Sequence, residues 1–266
     1  MKTKIMNSSV GRTLLSVRRN WELRSLSTKN PEKAGIIANA IIADKLISQI
    51  CPKGGTFLDI GAQFGAIFSL AYSFDQSLQV YAFEAESTKA NGLKTAYPYA
   101  KVYDVAIGEK EGEAIFYLNP NASGYNSLVP GDDRQEVRVR VAAIDELLPE
   151  VNADVLKIDI EGAELGALIG AKMAIQRNNP TIMFECVLPS ENSLGYSAEK
   201  IWDWFSKNGY GIFTPDRVAH DAPPLGREAF SDAQQYPFRS HNYFAISSAR
   251  RLEIRDKARS ILNVGL

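Results

Sequence analysis

A glycine turn and a set of carboxylates carry the chemistry that this sequence can offer. The apolar run Thr56–Ile60, with Asp59 near its end, breaks at once into Gly61-Ala62-Gln63-Phe64-Gly65, and the apolar stretch Ala66–Ala71 follows. That order predicts a buried strand, a tight turn and a helix opening, which lets backbone approach a nucleotide-like ligand. A phosphate-binding loop offers bare N–H groups and often a lysine. Here the strand carries an anion and no lysine follows in the turn, so the ligand is not strongly anionic at this point. S-adenosylmethionine, with its sulfonium and ammonium charges, fits the turn better than NAD or ATP.

Further acids fall where strands are expected to end: Glu84, Asp159, Glu161 and Glu185. In an open α/β sheet, ligands bind outside the carboxyl ends of the strands, near the point where strand order reverses. Glu84 lies close to the spacing of ~20 residues at which an acid hydrogen-bonds ribose hydroxyls, and no arginine stands beside it as an NADP site would want. Read singly, each acid could instead be a helix cap or a surface charge. Asp159 and Glu185 would sit on neighbouring strands ~4.8 Å apart. Two carboxylates that close cannot both ionise comfortably. They would share a proton and act as a base, or hold a divalent cation; the first reading is preferred and no metal is expected. His241 is a rival base if the last strand runs antiparallel, because its start then lies on the active-site edge. It serves equally well as a plain strand end.

The elements that must position these groups alternate along the chain. Pro31 opens a helical stretch ending near Pro52. Strands are expected at Thr56–Ile60, Gln79–Glu84 and Lys101–Ile107, with helices at Ala66–Phe74 and Ser87–Ala96, the latter capped by Ser87. Residues 108–144 break the rhythm. Glu113–Leu118 and the strictly alternating Glu136–Val141 predict a small β insertion, joined by a polar loop over 119–133 that carries Ser123, Asn126 and Ser127. Strands Asp154–Ile160 and Pro180–Val187 follow, with helices at Ala163–Met173 and Ala198–Asn208. A final strand pair, Gly209–Thr214 and Asn242–Ser247, flanks a lid-like loop over 215–240 that holds Arg217, Arg227 and Arg239. A helix over Arg250–Leu262 closes the chain. Trp202, Trp204, Phe205 and Tyr210 are expected in the core. Alternation of this kind argues for a doubly wound, mostly parallel sheet.

The phrases FLDIGAQFG, VYAFEAE, VAIGEKEG, LKIDIEGAE and PTIMFEC, in this order, resemble the FkbM family of S-adenosylmethionine-dependent methyltransferases over about residues 55–190. The resemblance implies a Rossmann-like class I fold with a seven-stranded sheet whose last strand is antiparallel. It implies S-adenosyl-L-methionine as cofactor and O-methyl transfer to a small molecule or saccharide. Gln63 departs from the asparagine more common there, but keeps the amide. Carried over, Asp59, Gly61 and Gly65 line the methionine part of the cofactor, Glu84 the ribose, and Asp104 and Ala106 the adenine side, with Gln63 also binding the cofactor. Asp159 and Glu161 border the acceptor, with Glu185 and His241 as further catalytic candidates. Residues 1–50 form a basic arm and a helix packed on a methyltransferase domain over 51–266. A protein that holds the cofactor without transfer is one alternative. An NAD-linked oxidoreductase is another, against which the Gly-x-x-x-Gly spacing counts.

Composition agrees with one α/β domain. The 266 residues are 45% hydrophobic with a net charge of −1, which gives no reason to expect a nucleic-acid partner. The first 30 residues hold seven basic side chains against Glu22 alone, suiting a solvated extension, a presequence or peripheral contact with an anionic membrane. No run approaches the ~20 apolar residues of a membrane span. Cys51 and Cys186 read as free thiols, which points to a reducing, cytoplasmic compartment.

Overall fold

The computed structural model describes Val17 and residues 21–119, 126–130, 135–187 and 192–264. Ser123 and most of the basic arm lie outside these residues. Residues 21–29 are helical, and Pro31–Lys33 forms a 3-10 turn that runs into α1 (Ala34–Ile47).

Seven strands form the main sheet: β1 (Thr56–Ile60), β2 (Gln79–Glu84), β3 (Lys101–Asp104), β7 (Val155–Ile158), β8 (Thr181–Glu185), β9 (Tyr210–Phe213) and β10 (Asn242–Ser247), in the order β3-β2-β1-β7-β8-β10-β9. Neighbouring strands pair parallel except at β10, which is antiparallel to both β8 and β9. Strand order reverses at β1, between β2 and β7, and the carboxyl edge there is the natural place for a ligand.

Strict alternation divides the core into two layers. Leu58, Ile60, Leu156, Ile158 and Phe184 face α5 (Glu164–Gly170), α7 (Ala198–Lys207) and α8 (Arg227–Ala233) through Leu168, Phe205 and Phe230. Phe57, Val155, Met183 and Phe244 face α1, α2 (Ala66–Phe74) and α9 (Arg251–Leu262) through Leu46, Ile47, Phe68 and Ile254. The expected aromatic cluster belongs to this packing: Phe205 lies 4.9 Å from Phe184 and 5.3 Å from Trp204 between ring centroids.

Four expectations need correction. The run Lys101–Ile107 is two strands, because Ala106–Ile107 (β4) leaves the main sheet at Val105 and pairs with β6 (Gln135–Ala142). With β5 (Gly112–Leu118) they form a separate sheet ordered β4-β6-β5, which is the insertion. The helix expected over Ala163–Met173 is broken after Gly170. The Asp145 carboxylate on α4 (Ile144–Leu147) accepts the N–H groups of Met173 and Ala174 at 2.7 and 2.9 Å, which starts α6 (Lys172–Asn178) afresh. Ser87 is the first residue of α3 (Ser87–Ala96) and does not cap it; its hydroxyl donates to Asp104 Oδ1 at 3.0 Å. Residues 215–240 are no open loop. They hold a 3-10 turn (Pro215–Arg217) and α8, bury Val218, Leu225 and Phe230, and are pinned to α1 by Asn39. The Asn39 amide donates to the Arg239 carbonyl at 2.9 Å and accepts from the Asp216 N–H at 3.0 Å.

Candidate active site

The turn after β1 is held by its own backbone. Gly61 and Ala62 both donate to the Phe83 carbonyl at 3.0 Å. Gly61 has φ +80°, and a Cβ there would lie 1.9 Å from the Asp159 carbonyl oxygen, so only glycine lets the two turns touch. Gly65, at φ +77°, starts α2 with Phe68 and Tyr97 against its Cα.

Glu84, only 5% exposed, ends β2 beside this turn. Its Oε2 accepts the Gln63 N–H at 2.8 Å and its Oε1 the Glu86 N–H at 2.9 Å. Burial pushes its carboxyl up, while those two N–H groups and Lys89 pull it back. An open cleft runs past Glu84, lined by Gly61 and Gln63 on the turn, Phe83, Ala106 and Phe116, and Asp159 and Glu161 at the far end. Asn126 and Leu128 line it from the insertion. The Asn126 amide donates to Glu86 Oε2 at 2.9 Å and accepts the Asn119 N–H at 2.7 Å, which ties the insertion to the end of β2.

Beside the cleft, Asp159, Glu161 and Glu185 each bring one oxygen within 4.8 Å of the others. Ile158 is registered against Phe184, and Glu185 against Asn242 of β10, so Asp159 and Glu185 meet at adjoining strand ends. Burial drives the Glu185 carboxyl strongly upward, and the charges of Asp159, Glu161 and Glu164 add to it. Glu161 (φ +56°) and Gly162 (φ +103°) bend the chain here, with Glu164 Oε1 accepting the N–H groups of Ile160 and Gly162, both at 3.1 Å. Glu164 is 1% exposed and its Oε2 has no hydrogen-bond partner among the described residues; burial raises its carboxyl to about 7. Three oxygen donors so disposed can share a proton or hold a hard divalent cation.

The structure thus brings Gly61, Gln63, Glu84, Ala106, Asp159 and Glu161 onto one cleft, with Glu185 at its end. Four other expected residues, Asp59, Gly65, Asp104 and His241, are not among its lining. Asp59 is buried beneath the turn, Gly65 lies behind it, and Asp104 is exposed and engaged by Ser87. His241 precedes β10 with its ring edge-on to Phe238 at 5.5 Å, and burial lowers its imidazole. Arg227 and Arg239 pair with Asp203 and Asp232 at 3.2 Å.

One group escaped the sequence reading. Lys157, almost wholly buried on β7, donates to the Gly61 carbonyl at 2.7 Å. Its Nζ also stands 3.2 Å from Asp59 Oδ1 and 3.4 Å from Asp159 Oδ2. The Asp59 contact is an ion pair in the buried interior. Burial would lower the lysine, but Asp159 and Asp59 together outweigh it and hold it charged. Its signal in the sequence was a lone cation in an otherwise apolar central strand.

Sheet order, a lone antiparallel strand and a cleft at the reversal of strand order define the α/β class I methyltransferase fold, whose chemistry depends on S-adenosylmethionine. The chain belongs to the FkbM methyltransferase family, since the Methyltransferase FkbM domain matches residues 59–212. Among solved structures the chain is similar to Methyltransferase FkbM from Methylobacillus flagellatus KT at 17% identity and a TM-score of 0.45. That match covers 73% of this chain but only 44% of the other. It is also similar to a TehB-like SAM-dependent methyltransferase from Corynebacterium glutamicum (12% identity, TM-score 0.40, covering 88% and 96%). A precorrin-6y C5,15-methyltransferase from Geobacter metallireducens GS-15 matches at 14% identity and a TM-score of 0.40, covering 65% and 73%. A comparison with curated proteins finds no match. Among the described residues, no helix is long and apolar enough to cross a membrane.

Proposed function

We propose that this methyltransferase acts on oxygen, methylating a hydroxyl of a small molecule or saccharide, with the Asp159–Glu185 pair as the proton site. The observation that carries the reading is the meeting of Asp159, Glu161 and Glu185 at the end of the cleft that Glu84 lines. The cofactor supplies a methyl group already activated by a positive sulfur. The protein's tasks are to hold a nucleophilic oxygen in line and to remove its proton.

The residues present fit that cofactor. Each Glu84 oxygen is occupied by one backbone N–H, so lone pairs are left for the ribose hydroxyls. The Gly61–Gly65 turn presents backbone and the Gln63 amide to the methionine part, and Val105 and Ala106 give an apolar wall for the adenine side. The carboxylates opposite suit a cationic methyl donor, and an uncharged hydroxyl acceptor needs the base they offer. The same three oxygens would also serve a divalent cation bound to the acceptor, and methyl transfer after chelation separates the two versions.

The test incubates the protein with methyl-labelled S-adenosylmethionine and small-molecule extract, with mass spectrometry locating the label. Label on a hydroxyl oxygen, lost with Asp159→Asn, supports the reading. Label on nitrogen or carbon, or full transfer by Asp159→Asn, overturns it.

A further inference from the structure

We propose that Arg217 anchors an oxyanion, the carboxylate or phosphate group of a ligand, in a hollow between α1 and the 215–240 segment. The hollow shares no lining residue with the cleft beside Glu84, so binding there does not depend on how Asp159 and Glu185 handle a proton.

Arg217 differs from its neighbours in kind. Every other arginine from Arg138 to Arg259 reaches a carboxylate or a backbone carbonyl oxygen. The half-buried Arg217 side chain reaches neither among the described residues, and its Nε is shut away from solvent with no hydrogen-bond partner. A guanidinium that gives up water without gaining an acceptor costs the fold stability. A ligand oxyanion makes up the deficit, because its two oxygens can take two N–H groups of the planar fork side by side.

The surroundings suit one such group. The hollow holds about 240 Å³, which is room for a carboxylate or phosphate and a few attached carbons but not for a whole drug-sized ligand. Leu225 and Phe238 give it an apolar wall, where opposite charges attract more strongly than in open water. Arg239 also lines it, already paired with Asp232 at 3.2 Å. The two acids of the lining, Glu32 and Asp216, are exposed, and neither forms an ion pair with Arg217. The Asn39 amide, bonded to the Arg239 carbonyl and the Asp216 N–H, fixes both ends of the segment around the hollow.

β8 and β9 are both antiparallel to β10, so the Pro215–Arg217 turn leaves β9 at the sheet edge where Asp159 and Glu185 lie. Three strand spacings separate β7 from β9, or about 14 Å. An acceptor whose anionic group lies that far from its reacting atom would span cleft and hollow, whereas a free anion would occupy the hollow alone.

The test titrates the intact 15N-labelled chain with sodium phosphate and with sodium acetate at constant ionic strength, following the arginine Nε–H signals by NMR. Arg217→Lys identifies the Arg217 signal by its loss. That signal should move along a saturating curve with half-saturation at or below about 10 mM for at least one of the anions. Arg217→Met removes no hydrogen bond or ion pair among the described residues. In that variant the Asn39 side-chain amide, which should follow the same curve in the wild type, should need at least about tenfold more anion. No saturating shift of the Arg217 signal with either anion overturns the proposal, as does an Asn39 response that survives Arg217→Met unchanged. Transfer of labelled methyl to extract, with and without phosphate, then separates the two sources. Slowing of the wild type by more than about threefold, absent in Arg217→Met, assigns the anionic group to the acceptor, and equal rates assign the site to a free anion. Both results uphold the oxyanion site.

Discussion

The backbone N–H of Gln63 donates to Glu84 Oε2 at 2.8 Å, so the Gly61–Gly65 turn and the acid beside it hold each other in place. Glu84→Ala would leave the N–H groups of Gln63 and Glu86 without their acceptor at a cost of about 1–3 kcal/mol, and would remove the ribose contact as well. Calorimetry with S-adenosylhomocysteine should show affinity falling by about 100-fold. A loss under threefold would mean that Glu84 does not touch the cofactor.

Gly61→Ala places a methyl group against the Asp159 carbonyl and forces an alanine to φ +80°. Denaturant unfolding should show destabilisation of about 3 kcal/mol or more. A change under about 1 kcal/mol would show that the two turns can part freely.

Glu164 gives a pH-dependent stability. Its folded carboxyl is raised from 4.5 to about 7, so the folded state favours the protonated form. Stability from this group is full below about pH 4.5 and is lost as pH rises through about 7. Glu164→Gln keeps an acceptor for Ile160 and Gly162 without the charge. It should be more stable than wild type by about 1–3 kcal/mol at pH 8, with the advantage vanishing near pH 4.5. Melting curves at the two pH values check this, and an equal gap at both would rule it out.

Asp159→Asn should slow methyl transfer by about 10²–10⁴-fold, whereas His241→Ala should leave it within about threefold. The imidazole sits against Phe238 and away from the cleft lining. Steady-state rates with labelled cofactor measure both, and a His241→Ala loss as large as that of Asp159→Asn would make the histidine the base.

Methyl transfer should persist after treatment with EDTA. Activity that disappears on chelation and returns with magnesium or manganese would instead place a cation on Asp159, Glu161 and Glu185.

Much of the frame was legible because it is local. The strands at Thr56–Ile60, Gln79–Glu84 and Asn242–Ser247, and the helices at Ala66–Phe74 and Ser87–Ala96, lie where apolar pattern and turn residues place them. Glu84 was legible through its spacing from the glycine turn. What pattern could not show depends on contacts distant in sequence. The departure of β4 at Val105 needs the partner strand β6, and the restart at α6 needs Asp145. The role of Lys157 was hidden because two of its three partners, Asp59 and Gly61, lie about a hundred residues away in sequence. The 215–240 segment read as loop because its anchor, Asn39, lies on the first long helix.

The absence of a Cβ on Gly61 lets the turn that lines the cleft rest directly on the backbone of Asp159. On the proposed reading, donor floor and base are therefore a single mechanical part, with no slack to be reshaped for a different acceptor. New substrates are then, on the same reading, accommodated at the rim, where the insertion tethered through Asn126 lines the cleft, while the floor stays as it is. On that reading the insertion can vary without disturbing the contact between the two turns.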